Sequence, residues 1–305
     1  MTVILALLAQ IIHTALMLAA APTAAGASDW LDSRLTGRSG PPILAPWRDL
    51  VRLSRKTPII LDSVSAASRL APSLGLGATL SAASLVPSFT FDMAFSPLAD
   101  VLVIVALLTV ARVAAALAAL DSGAALPGLA AQSASARAVL AEPALMLAVV
   151  ALALIDGSFN LDLIIGQQRE GLLLPAAASA VALTAMLALM YTETSAPSGG
   201  LEQMLSGTGL AIALMTLWLR RLVWIDLIGG LFLPVGMTTP DSSPFGWLTG
   251  IAVWLIKLAA FILGLSAIQT LLGRIPRQSL PDLIGAAALL ALLAIIMVLA
   301  STGGT

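Results

Sequence analysis

Long apolar stretches separated by short polar segments dominate the hydrophobic pattern of this chain. Eight stretches are about 20 residues long, the length that an α-helix needs to cross a bilayer. Backbone groups in lipid find no water to bind, so these stretches must be helical. The sequence therefore predicts an all-α fold, a polytopic membrane helix bundle in one integral domain over residues 1–305. The predicted spans are 3–22, 66–88, 98–120, 138–158, 172–192, 209–235, 246–272 and 281–300.

Composition narrows the class of protein further. Hydrophobic residues make up 59% of the chain and charged residues 10%, whereas about a quarter of the residues in a soluble domain are charged. With no cysteine and one histidine, the chain lacks the ligands that iron–sulfur clusters and structural zinc require. We therefore expect no cofactor in this chain, with any redox centre on a partner. No catalytic motif appears, and nothing indicates nucleic-acid binding.

Positive charges are concentrated in alternate loops between the predicted spans. Nine lysine and arginine residues lie in these loops, whereas the remaining loops carry only Arg169. Basic loops stay on the cytoplasmic side, so both termini are predicted outside and segment 23–65 is predicted to be a cytoplasmic basic loop. We expect the protein in the inner (plasma) membrane. The nine residues are Arg34, Arg38, Arg48, Arg52, Arg55, Lys56, Arg137, Arg274 and Arg277.

The basic loop 23–65 contains a predicted amphipathic helix. Pro46 suits the first turn of a helix, because its missing N–H would be unpaired there in any case. Arg48, Arg52 and Arg55 then share one face at helical spacing. Two interpretations fit this pattern. The helix either binds the headgroups of anionic lipids in the bilayer, or it docks a peripheral protein subunit.

Several ionisable residues fall within the predicted spans, where a charge is costly and usually functional. Arg112 and Lys257 lie near mid-span and are the strongest candidates for a buried polar axis. Arg69 and Asp156 lie near span ends, from which a side chain can reach the interface. His13 has no nearby acid and is expected to be a packing residue. The full set is Arg69, Arg112, Glu142, Asp156, Arg220, Arg221, Asp226 and Lys257.

An ordered series of short motifs runs along the whole chain. The motifs are Arg38-x-Gly40-Pro41, Pro46-x-Arg48-Asp49, Arg69-Leu70-Ala71-Pro72, residues 120–128, Leu140-Ala141-Glu142-Pro143, Ser206-Gly207 and residues 231–236. In combination with eight spans, this series resembles the subunit 1 family of respiratory complex I. The resemblance is to its hydrogenase-associated branch, the formate hydrogenlyase subunit 4 type.

The resemblance implies a membrane subunit that anchors peripheral hydrogenase-like or complex-I-like subunits on the cytoplasmic side, beside antiporter-like membrane subunits. Iron–sulfur and nickel–iron centres, or quinone, would belong to or bind with those partners. The implied docking residues are Arg38, Gly40, Pro41, Arg48, Asp49 and Arg52. The implied ion path, which would couple redox change to proton or ion movement, comprises Arg112, Asp121, Glu142, Glu193, Arg220, Asp226 and Lys257. Arg220 falls where the family has a buried lysine.

The chain also departs from the family pattern at several acids. A charged Ser-Arg-Glu segment of the family falls on residues 132–134, and two further acids fall on Met204 and Gln269. These residues cannot carry a proton near neutral pH. Three functions therefore stay open: an ion-coupling membrane subunit, a structural anchor that has lost coupling, and a stand-alone secondary transporter. The transporter hypothesis lacks the internal repeats that such folds show.

Overall fold

Helices account for the regular secondary structure of the residues that the structure describes. This computed structural model describes residues 2–58, 65–170, 177–195, 204–271 and 279–302. Apart from a single 3-10 turn and two isolated β-bridges, these ranges form ten α-helices. They are α1 (Thr2–Leu35), α2 (Ala45–Ser54), α3 (Ala66–Leu85), α4 (Val101–Asp121), α5 (Ala125–Asp156), α6 (Leu161–Glu170), α7 (Ala177–Ser195), α8 (Gly207–Phe232), α9 (Pro244–Leu271) and α10 (Leu280–Thr302).

The prediction of a polytopic all-α membrane bundle is confirmed. Each predicted span coincides with one of the long helices α1, α3, α4, α5, α7, α8, α9 and α10. Five of them contain stretches long and apolar enough to cross a bilayer, and α7 contains a shorter apolar stretch, Ala177–Glu193. The five stretches are Val3–Leu35, Val101–Asp121, Ala125–Ile155, Pro244–Thr270 and Leu280–Ser301. Helices α3 and α8 are more polar, because α3 is rich in serine and glycine and α8 carries three charges.

Two helices are longer than the predicted spans. Helix α1 continues through Pro22 to Leu35, so the loop before α2 begins at Thr36 rather than at residue 23. Thr23 follows the proline and donates a hydrogen bond to the Ala20 carbonyl at 2.7 Å. Helix α5 begins at Ala125 rather than at residue 138. Both extensions are rich in alanine, which has the highest helix propensity of all residues. The predicted span residues 172–176 and 272, and the loop residues Arg274 and Arg277, lie outside the described residues.

Helix α8 is the centre of the bundle. It contacts α1, α2, α3, α6, α7 and α9, and its residues from Leu222 to Leu231 are all buried. A helix that is buried on every side must lie inside other helices rather than against lipid. Asp226 lies within this buried stretch, whereas Arg220 and Arg221, just before it, are only half-buried.

The long helices run alternately up and down, which gives the bundle two distinct ends. At one end, here called the α6 end, two loops are joined by a bridge between Thr90 and Thr238, in which Thr238 N–H donates to the Phe89 carbonyl at 2.9 Å. At the opposite α2 end, Asp121 accepts a hydrogen bond from the Ser65 N–H. With eight alternating helices, the start of α1 and the end of α10 both lie at the α6 end.

A glycine in α9 makes the joined loops of the α6 end possible. A Cβ atom on Gly250 would lie 2.9 Å from the Phe89 carbonyl oxygen. That oxygen accepts the Thr238 bond and cannot move without breaking it. We expect Gly250→Ala to lower the free energy of unfolding by about 1–3 kcal/mol, the usual effect of overpacking. Thermal unfolding of the detergent-purified chain measures this change.

The matched control is Gly285→Ala in α10, where an added Cβ would meet no atom within 4 Å. Alanine is the better helix former, so this variant should be at least as stable as the native chain. Equal stabilities for the two variants would contradict the close packing at Gly250.

Candidate functional site

Three predicted ion-path residues from three helices meet around Arg112. The Arg112 Nη1 donates to Glu193 Oε1 at 2.6 Å, and Nη2 donates to Glu142 Oε1 at 3.2 Å. Nη2 also donates to Thr109 Oγ1 at 3.3 Å. The side chains of Arg112 and Glu193 are only 16% and 12% exposed. A charge at this depth requires a partner, and here one guanidinium serves two carboxylates.

Arg112, Glu142 and Glu193 are here called the Arg112 group. This group opens onto a cavity of about 230 Å³. A single water needs only about 10–15 Å³, so the cavity has room for several. Its walls come from α3, α4, α5, α7, α8 and α10, and many are alanine side chains, which are too small to fill the space. The charged residues that line it are Arg112, Arg137, Arg220, Glu142 and Glu193.

Arg137 lines the cavity, although the hydropathy pattern predicted it in a loop. The structure places it on α5, which begins 13 residues earlier than predicted. The helical pattern could have revealed this placement, because Ser135, Ala138 and Glu142 follow one helix face and all line the cavity. Arg137 and Arg220 each make a further polar or electrostatic contact within the protein.

A proline lies beside the cavity in the middle of α5. Pro143 follows Glu142 directly and has no N–H, so the Val139 carbonyl four residues earlier lacks its helical hydrogen bond. Val139 lines the cavity. Free backbone acceptors at membrane depth are tolerated where they face a cavity that can hold water. The proline therefore adds a polar backbone group to the surroundings of Glu142.

Asp226 and Lys257 form a second, separate group. The Trp254 Nε1 donates to Asp226 Oδ1 at 2.9 Å, and the Lys257 Nζ donates to the Leu233 carbonyl at 3.1 Å. Both residues line a small cavity that shares no lining residue with the Arg112 cavity. The structure thus divides the predicted polar axis into two groups.

Helix α8 connects the two groups. Arg220 lines the Arg112 cavity, and Asp226 lines the second cavity six residues later. With a rise of 1.5 Å per residue, their backbone positions are about 9 Å apart along the helix axis. Between them, Arg221 interacts electrostatically with Asp29 and Asp32 of α1. These two acids were not predicted, because the hydropathy pattern predicted that the first span ends at residue 22.

The structure places Asp121 outside both groups. Its Oδ2 accepts hydrogen bonds from the Ser65 N–H at 2.8 Å and from the Ser68 hydroxyl at 2.7 Å. Asp121 is exposed at the end of α4 and ties it to the start of α3. This arrangement stabilises the helix terminus, since the first N–H groups of a helix have no partner within it.

The remaining span residues are placed as follows. His13 is fully buried, and its Nε2 lies 2.9 Å from the Ala83 carbonyl, while its Nδ1 lies 2.7 Å from the Ser88 hydroxyl. The expectation of a satisfied packing residue is confirmed. Arg69 is exposed near the start of α3. The side chain of Asp156 lies outside the described part of the chain.

The predicted docking residues surround the amphipathic helix α2. Pro46 and Leu53 are buried against the bundle, where α2 contacts α1 and α8. Arg48 and Arg52 are exposed, and Arg52 pairs with Asp49 at 2.8 Å. The exposed surface of α2 also carries apolar side chains, those of Leu44, Trp47 and Val51. Arg38 and Pro41 are exposed in the preceding segment, in which Gly40 packs against Ser33.

Removing Arg112 should leave Glu142 and Glu193 without the guanidinium that pairs with both of them. We expect Arg112→Met to lower the free energy of unfolding by about 2–3 kcal/mol. This is less than the roughly 3–5 kcal/mol typical of a fully buried pair, because the cavity admits water. Thermal unfolding of the purified chain measures the loss, with exposed Arg69→Met as the matched control.

A double-mutant cycle separates charge from packing. Adding Glu193→Gln to Arg112→Met removes one unpaired charge, so the double variant should be more stable than the sum of the single losses predicts. Strict additivity would show that Arg112 and Glu193 are not coupled.

Comparisons with known proteins agree with this architecture. A family model described as NADH dehydrogenase matches residues 7–300. The chain is 25% identical to formate hydrogenlyase subunit 4 of Escherichia coli (strain K12) over 309 aligned positions, which cover 97% of this chain and 100% of the relative. It is 30% identical to hydrogenase-4 component C of the same organism over 275 positions, 84% of either chain.

A solved structure shares the fold. It is a chain in the structure of the membrane-bound sulfane sulfur reductase (MBS), described as an archaeal respiratory membrane complex. The TM-score is 0.81 with 19% sequence identity, over 96% of this chain and 99% of that chain. At this identity the likeness concerns the fold alone.

Proposed function

The chain belongs to the NADH dehydrogenase family, the family of complex I subunit 1, and on this premise we propose its function. It is an integral membrane subunit of a hydrogenase-like or complex-I-like oxidoreductase, and it anchors the peripheral redox module. The observation that carries this proposal is the match, over 97% and 84% of the chain, to relatives named formate hydrogenlyase subunit 4 and hydrogenase-4 component C. A stand-alone transporter does not fit these relatives.

The proposal assigns the α2 end to the cytoplasmic side of the inner (plasma) membrane. Arg48, Arg52, Arg55 and Lys56 are all exposed at this end, and basic segments remain on the cytoplasmic side of a membrane. Antiporter-like membrane subunits would contact the outer faces of the long helices. Iron–sulfur centres, nickel–iron centres or quinone would be held by or with the partner subunits.

The proposed docking surface consists of α2 and the segment before it. Helix α2 is a firm support because Pro46 and Leu53 are buried in the bundle. The Ile43 carbonyl lies against Gly26 of α1, where no side chain would fit. Arg52 is held in place by Asp49. A partner with a complementary acidic surface would gain register and specificity from these charges.

We propose ion coupling through the Arg112 group. Glu142 and Glu193 compete for one guanidinium. A proton on either carboxylate would release it and strengthen the pairing of the other. The cavity beside them has room for the water that would carry the proton. The alternative is a structural anchor in which this group only stabilises the bundle.

Charge reversal on α2 tests the docking surface. Arg48→Glu with Arg52→Glu should weaken binding of the peripheral module by roughly 30-fold or more, since unpairing interfacial charges costs about 2–5 kcal/mol. The measurement is the amount of module that copurifies with the membrane subunit in mild detergent. Arg169→Glu, an exposed residue at the α6 end, is the control and should retain the module. Full retention by the double variant would refute docking at α2.

Glu142→Gln tests ion coupling. It keeps the shape and hydrogen bonding of the side chain but cannot carry a proton. In the reconstituted complex we expect electron transfer to continue while proton translocation falls by about tenfold or more. Asp121→Asn is the matched control, because Asp121 lies outside both groups and asparagine keeps its capping oxygen. If the native complex translocates no ions, the structural-anchor alternative holds.

A further inference from the structure

Asp226 has an unexplained carboxylate oxygen. The residue is 5% exposed and lies in the part of α8 that is buried on every side. Its Oδ1 accepts the Trp254 hydrogen bond, whereas its Oδ2 is buried and has no hydrogen-bond partner among the residues that the structure describes. Buried polar atoms without partners are rare, since each one costs the free energy of its lost hydration. A small polar ligand that donates a hydrogen bond to Oδ2 would remove this cost.

The space beside Asp226 has the size of such a ligand. Asp226, Lys257 and Ser88 line a cavity of about 10 Å³, close to the volume of one water probe. Gly229 and Gly230 also line it, so that the backbone of α8 leaves room there. A buried water needs two to four polar partners. The three polar residues can supply that number.

The hydrogen bonds around Ser88 fix the direction of its hydroxyl. His13 Nε2 faces the Ala83 carbonyl, which can only accept, so the neutral ring carries its hydrogen on Nε2. Its Nδ1, 2.7 Å from Ser88 Oγ, is then an acceptor. The Ser88 hydroxyl must donate to it, which leaves the Oγ lone pairs free to accept. His13 is thus a positioning residue that acts through Ser88.

We propose that this cavity binds one water molecule, and that this water links Asp226 and Lys257 into a proton-exchange site distinct from the Arg112 cavity. The water donates to Asp226 Oδ2 and to Ser88 Oγ, and it accepts from Lys257 Nζ. All its hydrogen-bonding groups but one lone pair are thereby used.

The proton transfer in this site conserves charge. The Lys257 ammonium gives a proton to the water oxygen, and the water gives one of its own protons to Asp226 Oδ2. An N–H bond breaks, an O–H bond forms, and the water is regenerated. The pair changes from carboxylate and ammonium to carboxylic acid and amine. Such neutralisation lowers the cost of burying both groups.

In the described part of the chain, few other titratable groups face this site. His13 approaches it from α1 through Ser88, and Lys257 approaches from α9. On α8, Arg221 lies five residues before Asp226 and interacts with Asp29 and Asp32 of α1 instead. The use of this site in ion coupling rests on the proposed function. Water binding and proton exchange are measurable on the chain by itself.

Infrared difference spectroscopy on the full-length chain in lipid nanodiscs tests the proposal. Spectra are recorded across a pH titration in ordinary water and in water labelled with oxygen-18. We expect a protonated-carboxyl band that is lost in Asp226→Asn, and a water O–H band that shifts with the label. The water band should be lost in both Asp226→Asn and Ser88→Ala. Asp121→Asn, outside both cavities, should keep both bands.

Two further variants keep the test decisive if Asp226→Asn fails to fold. Lys257→Met removes the cation, so the carboxyl band should persist to higher pH. His13→Asn should shift the frequency of the water band by releasing the Ser88 hydroxyl, an effect that loss of packing alone would not produce. A water band unchanged in Ser88→Ala and His13→Asn, or a carboxyl band unchanged in Lys257→Met, would overturn the proposal. These results are independent of whether a peripheral module binds α2.

Discussion

A charged side chain inside a bilayer is stable only beside an opposite charge or water, and Arg112 is where this constraint shapes the bundle most. Its guanidinium brings together carboxylates from α5 and α7, so three helices converge on one point. Their alanine-rich faces approach closely but do not fill the interior. The cavity beside Arg112 follows from the combination of a large charged group with small neighbours. The ion pairs that stabilise the bundle and the cavity with room for water therefore have the same origin.

The same constraint on buried charges applies along helix α8. Its three charged residues point to three different surroundings: Arg220 to the large cavity, Arg221 to the acids of α1, and Asp226 to the small cavity near α9. Arg220 thus faces space that can hold water, Arg221 faces opposite charges, and Asp226 faces the tryptophan N–H and Lys257 of α9. A helix with this composition is too polar to face lipid, which explains why it is enclosed by six other helices.

The number of long helices and the position of α2 could be predicted from the sequence, because hydropathy reports span length and Pro46 marks a helix start. The lengths of α1 and α5 could not, since their alanine-rich extensions are less apolar than a span but still strongly helical. Hydropathy also indicates how deep in the membrane a residue lies, but it does not show in which direction the side chain points from the helix axis. Hydropathy identified Glu142 and Asp226 as candidates, and the family resemblance added Glu193. Neither could show that the two glutamates share Arg112 while Asp226 faces another cavity.

The position of α2 has a mechanical consequence. Helix α2 contacts α1 and α8, and the Ile43 carbonyl, two residues before α2, packs closely against Gly26 of α1. Helix α8 continues from that support past both cavities, as a rod of 26 residues. A displacement of α2 would therefore act on α8, and a tilt of α8 would move Arg220 and Asp226 together.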